Sequence, residues 1–267
     1  MMVITSSQNS VVKGIKALKN RKDREEQGLF FIEGRRIVEE ALLEKDHVKE
    51  LVLSEEFASD IRNSEFLAGM EKSGHKLHLV TRKLFSEITD TESPQGILAV
   101  IRMKKHILAN ELIKNGLYII MESVRDPGNV GTIIRTADAA GFSGVILSKG
   151  CVDAYNPKVL RSTMGSVFHI PVYQVPDIIE TLRLLKANGI RILVSHLEGI
   201  SSIYEVDMKF GIAVAIGSEA DGVSEEVKTL ADVLVKIPMT GRAESLNASV
   251  AAGLLIYETV RQKLFDY

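Results

Sequence analysis

The chain has 267 residues, of which 45% are hydrophobic and 25% are charged, and its formal net charge is −2 at neutral pH. This composition is typical of a globular protein with one large or two smaller domains, and the near-neutral charge excludes a broadly cationic nucleic-acid binder. The single cysteine, Cys151, excludes an internal disulfide and a cysteine-based zinc site, and the spacing of the histidines predicts no metal.

The sequence shows neither a targeting segment nor a membrane span. Its beginning, MMVITSSQNS, has no basic start followed by an apolar run, so no signal peptide is expected. No window approaches the ~18 consecutive apolar residues that a membrane-spanning helix needs. We therefore predict a cytoplasmic protein.

The first part of the chain alternates helical and extended patterns. Residues 9–27 place Val12, Ile15 and Leu18 near helical spacing with basic residues on other faces, which predicts an amphipathic helix with a basic side. Strands separated by helices are then predicted at residues 29–34, 48–54, 76–80 and 95–102. The alternation indicates an α/β unit, and we place a smaller α/β domain at 1–103 and a linker with a helical turn at 104–115.

The second part, residues 116–267, is predicted to form the larger domain. Short apolar runs alternate with helical segments, and strands are predicted at residues 116–122, 144–148, 170–175, 190–196, 211–218 and 233–239. Strands buried on both faces have this appearance, which favours a mainly parallel sheet with helices on both faces. A final helix is predicted at about residues 246–263, with its Ala-rich first half packed against the protein.

Three polar loops follow predicted strands of the second domain, at residues 122–142, 215–224 and 237–247. Ligands of open parallel sheets bind at the carboxyl ends of strands, so these loops are the first place to look for a site. Neither the dinucleotide nor the P-loop fingerprint is present. Each loop also has a purely structural interpretation, because Asp126-Pro127-Gly128-Asn129 can be a simple turn, and Ser224, Ser245 or Asn247 can be helix caps.

Together the three loops carry a family resemblance. The stretches DPGNVGTIIRTADAAGF, IGSEADGVS and IPMTGRAESLNASVAAGLLIYE resemble, in order and spacing, the three motifs of the SpoU (TrmH-type) class of SPOUT RNA methyltransferases. Residues 6–42 resemble the small, ribosomal-protein-like substrate-binding domain that precedes the catalytic domain in ribosomal RNA 2′-O-methyltransferases of this class. The resemblance implies methyl transfer from S-adenosyl-L-methionine to a ribose 2′-hydroxyl, a C-terminal trefoil knot and a homodimer.

The resemblance also implies site residues. Catalytic roles are implied for Arg135, Asn129, Glu219, Ser245 and Asn247. Cofactor contacts are implied for Gly217, Ile237 and Leu246, and Met239 is predicted to line the same apolar slot. Because a guanidinium stays protonated in proteins, we interpret Arg135 as a group that stabilises the developing alkoxide rather than as a base.

The RNA itself is predicted to contact basic residues of the first domain and of the stretch at residues 156–171. The predicted contacts are Lys13, Arg21, Arg24, Arg35 and Arg161. The alternative for each is a solvated helix face. Ribosomal RNA is the favoured substrate, and the alternatives are a transfer RNA methyltransferase or a noncatalytic RNA-binding ribosome assembly factor.

Overall fold

A computed structural model of the chain describes residues 2–43 and 47–265. The chain forms two compact units, of which the first comprises residues 1–105 and 155–161 and the second comprises residues 106–154 and 162–267. No helix in the described ranges is both long and apolar enough to cross a membrane.

The first unit is built on a five-stranded sheet with strand order β1-β4-β3-β5-β2. Its strands are β1 (Val3–Ile4), β2 (Leu29–Glu33), β3 (Val48–Ser54), β4 (Leu77–Val80) and β5 (Ile97–Arg102). Its helices are α1 (Ser10–Ala17), α2 (Arg21–Gln27), α3 (Arg35–Leu43), α4 (Glu55–Ser59), α5 (Ser64–Lys72) and α6 (Arg82–Ile88), with a 3₁₀ turn at Ile61–Asn63. The predicted strands appear as β2 to β5, and the two-residue edge strand β1 is an addition.

The predicted single helix over residues 9–27 is instead two helices, α1 and α2. The chain turns at Leu18, and the side chain of Asn20 accepts a hydrogen bond from the Lys22 amide at 3.0 Å. Such a cap satisfies a free amide at the start of a helix, so Asn20 begins a second helix instead of continuing the first. The predicted apolar face is nevertheless buried, because Val12, Ile15 and Leu18 all lie in the core of this unit.

The second unit is built on a seven-stranded sheet with strand order β10-β12-β9-β11-β6-β7-β8. Its strands are β6 (Leu117–Met121), β7 (Gly144–Leu147), β8 (Val172–Gln174), β9 (Arg191–Ser195), β10 (Ser201–Ser202), β11 (Ile212–Ile216) and β12 (Val233–Lys236). The helices of this part of the chain are α7 (Leu108–Glu111), α8 (Pro127–Ala139), α9 (Pro157–Thr163), α10 (Ile178–Ala187), α11 (Glu225–Leu230) and α12 (Ala248–Leu264). All of the strand pairs in this sheet are parallel, which confirms the predicted sheet type.

The strand order explains why distant parts of the sequence meet. Strand β11 lies between β6 and β9, and β12 pairs with the other side of β9. Because the strands are parallel, the chain leaves β6, β11 and β12 at the same edge of the sheet. The three polar loops therefore leave the sheet on one side, next to helices α8 and α12, which pack against each other.

Candidate active site

A chain of side-chain hydrogen bonds connects the three loops. Asn129, in the first turn of α8, donates through Nδ2 to Oε1 of Glu219 in the loop after β11. Its Oδ1 accepts a hydrogen bond of 2.9 Å from Nδ2 of Asn247, which precedes α12. Residues that are 90 and 118 positions apart in sequence thus form one continuous polar network.

Both asparagines are fixed by the ends of their helices. Asp126 caps α8 by accepting the Asn129 amide at 2.8 Å, and Pro127 follows it at the first helical position, where proline is favoured. Asn247 caps α12, because its Oδ1 accepts hydrogen bonds from the amides of Ser249 and Val250. The capping interpretation of Asn247 is therefore correct, and it coexists with a role in the network. Ser245 is exposed and is not the cap.

The loop after β11 folds back on itself through glycine. Ser218 and Gly222 exchange two backbone hydrogen bonds of 3.2 and 3.0 Å, and Gly222 adopts a φ of +68°. A side chain at Gly217 would overlap the carbonyl of Gly222, so only glycine fits there. This fold displays Glu219 on an exposed turn between the two glycines.

A cavity of about 890 Å³ lies beside these loops. The ends of β9, β11 and β12, the loop before α12 and the first turns of α12 line it. The lining includes all four predicted cofactor contacts and two of the predicted catalytic residues, namely Gly217, Ile237, Met239, Leu246, Glu219 and Ser245. Its volume falls within the range of about 300–1,000 Å³ that is usual for small-molecule and cofactor sites.

Glu122 supports this region, although its position in the sequence predicted no role for it. It follows β6, is 9% exposed, and its Oε2 accepts a hydrogen bond of 2.8 Å from the amide of Ser224. Ser224 ends the glycine loop and caps α11. The sequence feature that could have identified Glu122 is a carboxylate directly after an apolar strand and next to the first motif.

Arg135 stands apart from the network. It is exposed on α8 and forms no hydrogen bond or ion pair within the described residues. It follows Asn129 by six residues, which at ~100° per residue turns it about 120° away around the helix. The structure thus brings Asn129, Glu219 and Asn247 together, but it does not add Arg135 to them within one chain.

The predicted RNA contacts have different surroundings. Lys13 is exposed without an ion pair among the described residues, and Arg21 pairs with Glu25 of the next helical turn at 2.7 Å. Arg24 is 3% exposed, and its guanidinium donates to the carbonyls of Leu18 and Lys19 where α1 ends. Arg24 therefore serves the fold at the turn between two helices.

Arg35 and Arg161 lie in the first unit. Arg35 begins α3 and is held by several side chains of this unit, whereas Arg161 is half-buried in α9 and lines a small cavity. Lys13 is therefore the predicted RNA contact with the least structural involvement, whereas the guanidinium of Arg35 is held by Glu39 and Asn63.

The cysteine thiol and the possible metal ligands do not form a further site among the described residues. Cys151 is buried, and burial raises the pKa of its thiol, so the neutral form is favoured. The described residues contain no cluster of three or more His, Cys, Asp and Glu side chains that could hold a metal ion.

Comparison with known proteins identifies the family. Residues 116–257 match the SpoU rRNA Methylase family, and residues 9–99 match the MRM3-like substrate binding domain. The chain belongs to the SpoU rRNA methylase family, which confirms the resemblance seen in the three motifs.

Individual relatives are similar to this chain over nearly its full length. The chain is 37% identical over 261 residues to the 23S rRNA (guanosine(2553)-2'-O)-methyltransferase RlmP of Bacillus subtilis (strain 168), covering 96% of this chain and 98% of the relative. It superposes with a TM-score of 0.87 and 34% identity on an AdoMet-bound rRNA methyltransferase from Sinorhizobium meliloti, covering 99% and 98% of the two chains. The SpoU methyltransferase AviRb from Streptomyces viridochromogenes, in complex with AdoMet, gives a TM-score of 0.85 at 30% identity, covering 96% and 99%. These likenesses confirm the predicted SPOUT fold and the predicted enzyme class.

Proposed function

We propose that this protein transfers a methyl group from S-adenosyl-L-methionine to a ribose 2′-hydroxyl of ribosomal RNA. The observation that carries the proposal is the Asn129–Glu219–Asn247 network, which joins the three family motifs beside a cofactor-sized cavity. The named relatives, one a 23S rRNA 2′-O-methyltransferase, support the choice of substrate. A cytoplasmic location and a trefoil knot in the C-terminal part are included in the proposal.

The residues of the cavity fit the proposed cofactor. Apolar side chains of Ile237 and Leu246 provide walls for the adenosyl group, and Gly217 leaves backbone groups close to the cavity. Carboxylates of Glu219, Asp221 and Glu244 also line it. A sulfonium and an ammonium group are both positive, so acidic side chains at this cavity favour a cationic ligand.

When bound, the cofactor supplies an electrophilic methyl group, and the residues of the chain orient the attacking hydroxyl. Glu219 uses one carboxylate oxygen to accept from Asn129, and its Oε2 has no partner within the described residues. We assign Oε2 of Glu219 to accept the hydrogen bond of the 2′-hydroxyl. Asn129 and Asn247 hold that carboxylate in place, because their amides are tied to each other and to a helix end.

Arg135 completes the proposed chemistry. A permanent positive charge stabilises the negative charge that develops on the 2′-oxygen as its proton passes to Oε2 of Glu219. Since Arg135 is exposed and lies about 120° around α8 from Asn129, we propose that a second copy of the chain presents it to the site. Ser245 lines the cavity and is proposed to contact the ribose or the cofactor.

A homodimer is supported by the outer face of α12. Val250, Leu254 and Tyr257 lie on one face at helical spacing and are 51%, 39% and 51% exposed. An exposed apolar stripe on a helix is typical of a surface that another chain covers. A symmetric dimer would bury the same face of both copies.

Calorimetry with S-adenosyl-L-methionine tests the enzyme assignment. We expect saturable binding, and the absence of binding at millimolar cofactor would favour a noncatalytic RNA-binding protein instead. Mapping 2′-O-methyl groups in total RNA from a deletion strain and its parent then tests the substrate. Loss of one ribosomal RNA mark is expected, whereas loss of a transfer RNA mark with every ribosomal mark intact would contradict the ribosomal substrate.

A further inference from the structure

The first unit contains a cup of about 430 Å³ that the catalytic network does not use. Four segments form it, namely the start of α3, the start of α4, the 3₁₀ turn and the turn before β5. Its volume lies near the lower end of the range of about 300–1,000 Å³ found for small-ligand sites. The cup is thus large enough for a single small group such as one nucleotide.

Arg35 is held rigidly at this cup. Its Nε donates to Glu39 at 2.7 Å, its Nη1 donates to Asn63 at 2.9 Å, and its guanidinium lies 5.5 Å from the centre of the Phe66 ring. Asn63 is itself 6% exposed and donates to the carbonyl of Phe57 at 2.9 Å. The guanidinium of Arg35 forms an ion pair with Glu39, and its Nη2 has no partner among the described residues, so a fixed donor group remains for a ligand.

Gln95 lines the cup next to Arg35. Its Oε1 accepts a hydrogen bond of 2.8 Å from the amide of Arg35, which leaves Nε2 without a partner in the described chain. The next residue, Gly96, has a φ of +82°, and a side chain there would come within 2.5 Å of Ser54 Oγ and 2.8 Å of the Phe57 Cβ. Glycine therefore lets the turn before β5 approach α4 closely, and this close approach shapes the cup.

The acidic groups at the cup are already neutralised. Asp60 forms an ion pair with Arg62 at 2.5 Å, which holds the pKa of that carboxyl well below its usual range, at about 2. Glu56 is paired with Arg82 at 2.9 Å. The polar atoms left for a ligand include donors of Arg35 and Gln95, so the cup suits a ligand rich in acceptor oxygens and nitrogens.

We infer that this cup binds one unpaired nucleotide of the substrate RNA, with Arg35 and Gln95 donating to its phosphate and base. Proteins recognise RNA mainly at unpaired nucleotides, and a preorganised arginine is well suited to phosphate oxygens. Phe57 and Pro94 provide apolar surface in the same cup. The inference rests on the proposed RNA methyltransferase function and assigns substrate positioning to a defined part of the first unit.

Gln95→Glu tests the inference with minimal change in shape. The glutamate keeps an oxygen that accepts the Arg35 amide, but it replaces the free donor with a negatively charged acceptor. We expect RNA affinity to fall about tenfold, with the KM for RNA raised and kcat at saturating RNA unchanged. The matched control is Gln27→Glu, because Gln27 is exposed in the same unit, lies outside the cup and undergoes the same change of charge.

The measurements use the full-length protein and transcribed large-subunit ribosomal RNA. Filter binding gives RNA affinity independently of methylation, and calorimetry gives affinity for S-adenosyl-L-methionine, which Gln95→Glu should leave unchanged. Equal RNA affinity of Gln95→Glu and wild type, or an equal loss in Gln27→Glu, would overturn the inference. So would binding of free guanosine or adenosine monophosphate as tight as that of RNA. A wild type that binds RNA without methylating it would contradict the proposed function and leave the cup testable by affinity.

Discussion

At the scale of single residues, the site depends on the chemistry of an amide. A carboxamide carries a donor and an acceptor on one planar group, so it can join a carboxylate to a second amide. Asn129 does this, since its Nδ2 meets Glu219 and its Oδ1 meets Asn247. Asn129 is 8% exposed, and an imperfect replacement would leave buried polar groups without partners.

Asn129→Asp should therefore separate catalysis from cofactor binding. The aspartate can still accept from Asn247, but it places a second carboxylate against Glu219, and the two charges repel each other. We expect kcat to fall by at least about tenfold, with the affinity for S-adenosyl-L-methionine changed by less than about threefold. Steady-state methyl transfer and calorimetry measure the two quantities. Asn110→Asp, an exposed change outside the site, is the control, and unchanged kcat in Asn129→Asp would contradict the role of the amide.

For single residues, residue type could be predicted from the sequence, whereas burial could not. The three motifs identify Asn129, Glu219 and Asn247 by residue type and order, and the structure brings their side chains together. Burial of a charged side chain is not visible in sequence, so Arg24 was grouped with surface lysines and arginines although it is 3% exposed. Its long stem lets the guanidinium reach the carbonyls at the end of α1.

At the scale of elements, the strand ends determine the site. The apolar runs predicted β6, β11 and β12 closely, since strands buried on both faces leave a strong hydrophobic signal. The order in which those strands pair has no comparable signal in sequence. The pairing order of the strands also brings Glu122, after β6, into contact with Ser224, after β11, although the two residues are 102 positions apart.

Glu122 is a positioning residue, and two substitutions test this. Glu122→Ala removes the acceptor of the Ser224 amide, which costs about 1 kcal/mol of stability and loosens the loop that contains Gly217 and Glu219. We expect its affinity for S-adenosyl-L-methionine to fall about tenfold. Glu122→Gln keeps an amide oxygen that can accept, so it should stay within about threefold of wild type. Calorimetry and thermal unfolding measure both effects.

The same measurements on these two variants distinguish a positioning role of Glu122 from a general loss of stability. If Glu122→Gln lost cofactor affinity as severely as Glu122→Ala, the charge rather than the hydrogen bond would be responsible. If Glu122→Ala lowered Tm without changing cofactor affinity, Glu122 would be purely structural.

At the scale of the whole molecule, the fold class was predictable and the assembly of the site was not. Alternating strands and helices with buried strands indicate a parallel sheet, and the sheet of the second unit is parallel throughout its pairs. The rotation of α8 about its axis relative to the sheet determines where Arg135 lies. The motif does not specify that rotation. In the observed orientation of α8, Arg135 is exposed and Asn129 is buried.

The arrangement predicts that two defective chains restore a site when they dimerise. If Arg135 acts in the site of the partner subunit, a dimer of an Arg135→Ala chain and a Glu219→Ala chain contains one intact site and one doubly defective site. Random association makes half of the dimers mixed, so co-expressed chains should show about one quarter of wild-type activity. Each variant alone should be nearly inactive. Differently tagged chains, purified through both tags, raise the expected value to about one half. Activity of the mixed dimer no higher than that of the two parents would place Arg135 in the site of its own chain.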